Sequence, residues 1–126
     1  MNESMKIVNS LVEEVFKIDS NDEQEKQVLG AYLFGMINGL GQEMNINPAE
    51  VQSAMIQILG GKMAYSLEIA VQFSQFLINS TDRTFHPTMF AIIHRGLDGY
   101  YMYKDRKNNE LTQDFQGIIE AVKEES

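Results

Sequence analysis

Residues 84–104 read TFHPTMFAIIHRGLDGYYMYK, and they contain both histidines and three of the five tyrosines in the chain. Proline is favoured at the first position of a helix, so a helix is expected to begin near Pro87. Apolar and aromatic side chains then recur three and four residues apart, which predicts one face packed against a core. The members of this stripe are Phe90, Ile93, Leu97, Tyr100 and Tyr101. The stretch therefore predicts an amphipathic helix that organises the rest of the fold.

The remaining long segments also show helical periodicity, and none alternates with the period of two that a strand would have. Further helices are predicted over residues 4–18, 21–44, 48–59, 63–79 and 110–124. Ser20 and Glu23 have the spacing of a capping box at the start of the second helix. Asn47 and Glu50 have the same spacing at the start of the third. The sequence predicts an all-α fold, a single compact domain of about six helices over residues 1–126.

For two of these helices the sequence also predicts an end point or a position in the fold. The adjacent Gly60 and Gly61 predict that the third helix ends there in a left-handed turn. The segment after them, residues 63–79, has Glu68 as its only charged side chain. Such a composition predicts a central helix that is covered on most sides.

Four glycines interrupt the second predicted helix, although each costs a helix interior about 1 kcal/mol relative to alanine. They are Gly30, Gly35, Gly39 and Gly41. We interpret Gly35 and Gly39 as positions where a neighbouring helix comes close, and Gly41 as lying near a kink or a helix end. A glycine-rich phosphate-binding loop is the alternative, but no strand precedes these glycines and neither phosphate-loop pattern is present.

Composition and charge limit the classes of function. The hydrophobic fraction of 44% and the charged fraction of 22% are those of an ordinary globular domain, and there are no cysteines to form disulfides or thiolate zinc sites. Eighteen acidic residues against ten basic ones give a net charge of −8, concentrated at both ends of the chain, which argues against nucleic acid as a partner. No signal peptide or membrane span is evident, so a cytoplasmic bacterial protein without membrane contact is expected.

Residue types that could carry catalysis or bind metal are few. His86 and His94 lie eight residues apart, about 12 Å along a helix, and no other metal-binding motif accompanies them, so no metal or cofactor is expected. Asp98 follows His94 by four residues, within side-chain reach on a helix, which leaves a small hydrolase as a minor alternative. Arg95 and Asp98 have the spacing of a surface ion pair. No catalytic residue is assigned.

The end of the organising helix is rich in residue types that are enriched in protein interfaces. Three tyrosines within four helical positions cannot all point inward, so at least one should be exposed. The candidate partner-binding residues are His94, Arg95, Asp98, Tyr100, Tyr101 and Tyr103.

Three segments resemble a small all-α family of immunity proteins from bacterial polymorphic toxin systems. They are FGMINGLGQE at residues 34–43, NPAEVQSA at 47–54 and HPTMFAIIHRGLDGY at 86–100, and the similarity extends from about residue 28 to 103. The resemblance implies a cytoplasmic, non-enzymatic antidote that binds a cognate toxin domain and blocks it. It assigns no functional residue to this chain.

Other functions remain open from the residues alone. The main alternative is a helical ligand-sensing or regulatory module, as a monomer or a homodimer, with a pocket beside Gly35, Gly39 and His94. For an antidote, the acidic ends of the chain could cover the basic groove of a nuclease toxin, because complementary charge speeds association.

Overall fold

The computed structural model describes residues 6, 10, 11, 16, 18, 19 and 21–125, and these residues form five α-helices and no β-strand. The helices are α1 (Glu23–Met44), α2 (Pro48–Gly61), α3 (Leu67–Asn79), α4 (Pro87–Lys104) and α5 (Asn108–Glu124). They confirm the all-α prediction of one compact domain. The predicted helix over residues 4–18 lies largely outside the described residues, as does Ser20 of the first predicted capping box.

Short polar side chains set most of the helix starts. Asp22 caps α1 by accepting a hydrogen bond from the backbone N–H of Glu25, so α1 begins two residues later than the sequence predicted. Asn47 caps α2 in the predicted way, with Pro48 in the first turn. His86 has this role at α4, where its Nδ1 accepts from the backbone N–H of Met89 at 3.1 Å. The predicted start of the organising helix at Pro87 is therefore confirmed.

The connection between α2 and α3 departs from the sequence prediction. Gly60 and Gly61 both belong to α2, and no described glycine has a positive φ. The left-handed residue is instead Ala64, with φ of 59°, and Ser66 caps a helix that begins only at Leu67. The left-handed turn at the glycines was thus predicted at the wrong residues, because a glycine pair permits that conformation without requiring it.

The central helix is α1, which is buried from Val28 to Gly41 with the exception of Asn38. The prediction of a central helix over residues 63–79 was wrong, because α3 buries only Ala70, Ser74 and Leu77. A scarcity of charge shows that a helix is apolar, but it does not show that neighbouring helices cover all of its sides.

Glycines in both α1 and α4 let the two helices touch backbone to backbone. A Cβ atom on Gly35 would lie 2.8 Å from the backbone nitrogen of Leu97, and one on Gly96 would lie 2.9 Å from the carbonyl carbon of Tyr32. A Cβ on Gly39 would lie 2.8 Å from the ring of Tyr100. The predicted close approach at Gly35 and Gly39 is confirmed, and this contact fixes the position of α4 on the core.

The contacts along these helices define their directions. Gly35 meets the middle of α4 while Glu43, two turns later, bonds Lys104 at its end, so α1 and α4 run parallel. At the other end of the domain, Lys123 of α5 forms ion pairs with Asp22 and Glu25, at 3.0 and 2.7 Å. The acidic start of α1 and the acidic end of α5 therefore lie side by side.

Candidate functional site

The predicted partner-binding residues lie on three different sides of α4. His94, Asp98 and Tyr101 are four and three residues apart, and all three are exposed along the outer side of the helix. Arg95 lies on the flank that faces α5, whereas Tyr100 is only 5% exposed and packs inward. Tyr103 is partly buried against the core. The structure therefore brings His94, Asp98 and Tyr101 together as an exposed stripe, with the exposed Arg95 on its α5 flank, and turns Tyr100 and Tyr103 away from it.

Arg95 bonds a partner that the sequence did not indicate. Its guanidinium donates to Asp114 of α5, so the predicted pair of Arg95 with Asp98 was wrong. The Tyr32 hydroxyl donates to the other oxygen of Asp114 at 2.9 Å, so this carboxylate joins α1, α4 and α5. Burial raises the pKa of Tyr32, and the neighbouring charge and hydrogen bond of Asp114 raise it further. The hydrogen bond to Asp114 likewise raises the pKa of Arg95.

A second polar cluster joins the ends of α1 and α4. Tyr100 donates to Glu43 at 2.6 Å, and Lys104 donates to the other oxygen of the same carboxylate. The bond from Lys104 lowers the pKa of Glu43, with a smaller contribution from Tyr100. Burial raises the pKa of Tyr100, and the bond to Glu43 acts in the same direction. The cluster ties two helices together, which gives Tyr100 a structural contact inside the domain.

His94 lies beside a small cavity at the surface of the α1–α4 contact. The cavity has a volume of about 160 Å³. Its lining residues are Gly35, Asn38, Gln42, Thr81, Ile93, His94 and Leu97. A larger cavity of about 480 Å³, between α1 and the start of α2, shares Asn38, Gln42 and Thr81 with it. The predicted pocket beside Gly35 and His94 thus exists, although Gly39 does not line it.

The side chain of His94 packs against an aromatic ring. Its ring lies 4.2 Å from that of Phe90, and no hydrogen bond joins His94 to Asp98 among the described residues. Within the same residues there is no group of three or more histidine, aspartate or glutamate side chains that could hold a metal ion. None of the helices in the described part of the chain has an apolar stretch that would span a bilayer.

The sequence did not predict an open groove between the start of α1 and one flank of α3. Its volume is about 340 Å³. Its walls are formed by Glu23, Gln27, Tyr65, Ile69, Phe73 and Phe76, with Gln72 at the rim. Tyr65 meets Phe73 edge to face at 5.8 Å, and Phe73 lies 6.3 Å from Phe76. The signal in the sequence was that residues 67–79 have more apolar side chains than one buried stripe needs.

Comparison with known families matches the resemblance seen in the sequence. A family model described as Imm48, immunity protein 48, matches residues 1–123. Curated proteins and solved structures give no significant match. The matched range contains all three segments on which the resemblance was based. The chain therefore belongs to the Imm48 family of immunity proteins.

Proposed function

We propose that this protein neutralises a cognate toxin domain of a bacterial polymorphic toxin system by binding it stoichiometrically, without turnover. The observation that carries the proposal is the family match over residues 1–123, because an immunity protein implies a toxin protein as its partner. The antidote acts in the cytoplasm of the producing cell, where it would meet toxin that enters from neighbouring cells.

The polar groups of α4 support binding in preference to catalysis. Arg95 and Tyr100 are held by Asp114 and Glu43, so both side chains stabilise the packing of the helices. A general base needs a partner that orients it, and the ring of His94 contacts Phe90 instead. The exposed stripe on α4 therefore remains a candidate contact surface, with Tyr101 as its largest exposed ring.

The negative charge of this protein supports a basic surface of the toxin as its partner. Asp22 and Glu25 at the start of α1 meet the end of α5, where Glu124 and Glu125 follow Lys123. This end of the domain therefore has a concentrated negative charge. Opposite charge on the toxin would steer the two proteins together and raise the association rate, most strongly at low ionic strength.

Titration of the toxin against this protein tests the proposal. The toxin domain encoded beside this chain, in an inactivated form, should form a complex that calorimetry finds to saturate at a fixed molar ratio. Co-expression with the active toxin should restore growth only when this protein is at least equimolar. Rescue by a much smaller amount would show turnover, and the absence of a complex at micromolar concentration would reject toxin binding.

Two cavities that share lining residues, the smaller of them beside His94, favour a ligand-sensing module as the second candidate. Together they offer polar side chains from Asn38, Gln42 and Thr81 beside apolar walls, a combination typical of small-molecule sites. A screen of metabolites by thermal unfolding, with the protein alone, tests this function. Sedimentation velocity on the same sample distinguishes a monomer from a homodimer.

A further inference from the structure

The groove between α1 and α3 exposes apolar surface that the fold does not use. Ile69 is 44% exposed at its edge, and the rings of Tyr65, Phe73 and Phe76 are only partly covered. At the far end of this wall, Phe85 is 52% exposed and lies 5.9 Å from Phe76. A run of partly exposed aromatic rings of this length is typical of a contact surface, because exposed apolar patches on a monomer are usually small.

The rim of the groove is polar and negatively charged. Glu23 accepts the hydroxyl hydrogen of Tyr65 at 2.5 Å, yet its side chain stays 59% exposed. Glu68 is exposed in the first turn of α3, beside Ile69. The nearby Lys26 is largely covered, because its ammonium group lies 4.2 Å above the Tyr65 ring and its side chain is only 14% exposed. The accessible charge at this groove is therefore negative.

The contact of Lys26 with Tyr65 places a cationic side chain against an aromatic ring that lines the groove. A cation is already held over one aromatic ring, with Glu23 at 3.9 Å as its counter-ion. A second long cationic side chain could lay its methylene groups against Ile69 and Phe73 and direct its charge to the exposed carboxylates. Arginine is the residue type that best combines these contacts, and it is enriched among the residues that dominate binding energy.

From these observations we infer that the groove between α1 and α3 is the surface that binds the toxin, and that it receives an arginine or lysine side chain from a basic patch of the toxin. This inference rests on the proposed function. It differs from the sequence-based expectation, which placed the contact at the acidic ends of the chain or at the end of α4. Nucleic acid and anionic membranes share the charge of the rim, so neither fits the groove.

Matched substitutions at equally exposed positions test whether the groove between α1 and α3 is the surface that binds the toxin. Ile69→Arg places a positive charge at the edge of the groove, whereas Val71→Arg makes a comparable change on the opposite flank of α3, where Val71 is 42% exposed. Affinity for the inactivated toxin domain should fall about tenfold or more for Ile69→Arg and about twofold or less for the Val71→Arg control. Tyr101→Arg, at 44% exposure, makes the same change on the exposed stripe of α4. A large loss for Tyr101→Arg with none for Ile69→Arg would place the contact on α4 and overturn the inference.

A second substitution at Ile69 tests whether the toxin side chain that enters the groove is positively charged. Ile69→Glu removes the same apolar side chain as Ile69→Arg but adds a negative charge, so a cationic occupant should bind the glutamate variant at least tenfold more tightly than the arginine variant. Glu68→Gln should lower the association rate and flatten its dependence on salt. Unfolding midpoints within error of the parent verify that the exposed substitutions leave the fold intact.

The possible binding results separate failure of the proposed function from failure of the proposed surface or occupant. If the parent protein forms no complex, the proposed function fails and the groove is irrelevant to a toxin. If the parent binds and Ile69→Arg binds equally well, the groove is the wrong surface. Equal losses for the glutamate and arginine variants would reject a cationic occupant. Self-association of the parent that Ile69→Arg abolishes, with toxin binding unchanged, would assign the groove to a second copy of this chain.

Discussion

Replacing Gly96 by alanine should destabilise the domain, although alanine is the better helix former. In the middle of a helix the exchange favours folding by about 1 kcal/mol. At Gly96, however, the added methyl would lie 2.9 Å from the carbonyl carbon and 3.1 Å from the Cα of Tyr32. Both atoms are backbone, so α1 and α4 must move apart, and overpacking of this kind costs typically 1–3 kcal/mol. Because backbone atoms cannot rotate away from the methyl, we expect the upper part of that range, about 2–3 kcal/mol, and hence a net loss of about 1–2 kcal/mol.

Gly117 provides the matched control, because it lies within α5 and, apart from the neighbouring backbone of that helix, no atom comes within 4 Å of a Cβ placed there. Gly117→Ala should therefore stabilise the domain by about 0.5–1 kcal/mol. Urea unfolding followed by circular dichroism measures both variants against the parent. The two substitutions should shift the midpoint in opposite directions. A Gly96→Ala midpoint equal to or above that of the parent would refute the close backbone contact of α1 and α4.

Three further predictions concern the interior. Gly39→Leu should lower the free energy of unfolding by about 1–3 kcal/mol, because a Cβ there already meets the ring of Tyr100, and denaturant melting measures the loss. Asp114→Ala should cost about 1–3 kcal/mol in the same assay, because it leaves the Tyr32 hydroxyl without its acceptor, and Asp114→Asn should cost less. The raised pKa values of Tyr32 and Tyr100 contribute stability that is present below about pH 10 and is lost as the pH rises above it. The urea midpoint should fall above pH 10 in the parent and fall less in Tyr32→Phe.

The helices were largely predictable because their signals are local. Periodic apolar residues and the Asn47-Pro48 start need only neighbours in the sequence to be read correctly. The start of α1 was misplaced because Asp22 and Ser20 are both good caps, and only the folded backbone selects between them. The close approach at Gly35 was predictable since glycines inside a helix cost stability that a contact must offset.

The partners of the candidate site residues were not predictable, because they come from distant parts of the chain. Asp114 meets Arg95 only because α5 packs antiparallel to α4, and no local spacing encodes that contact. Asp98 is the nearer acidic residue in the sequence, and spacing alone therefore favours it over Asp114. Tyr100 was assigned to a binding surface by its residue type, yet its position in the helix points it inward to Glu43. Residue type indicates what a side chain can do, while burial decides whether a partner protein can reach it.

The arrangement of α3 separates two properties that the proposed toxin inhibitor would need, namely fast association and slow dissociation. Ala70 and Leu77 anchor the helix to the core, so the domain can fold without contacts from Ile69. Keeping this apolar side chain partly exposed favours aggregation, and the acidic rim opposes that tendency because like charges repel a second copy. The same rim attracts a basic partner from a distance, whereas the aromatic wall acts only after contact. In the proposed complex, charge at the rim would govern how quickly the toxin is bound, and apolar contact would govern how long it stays bound.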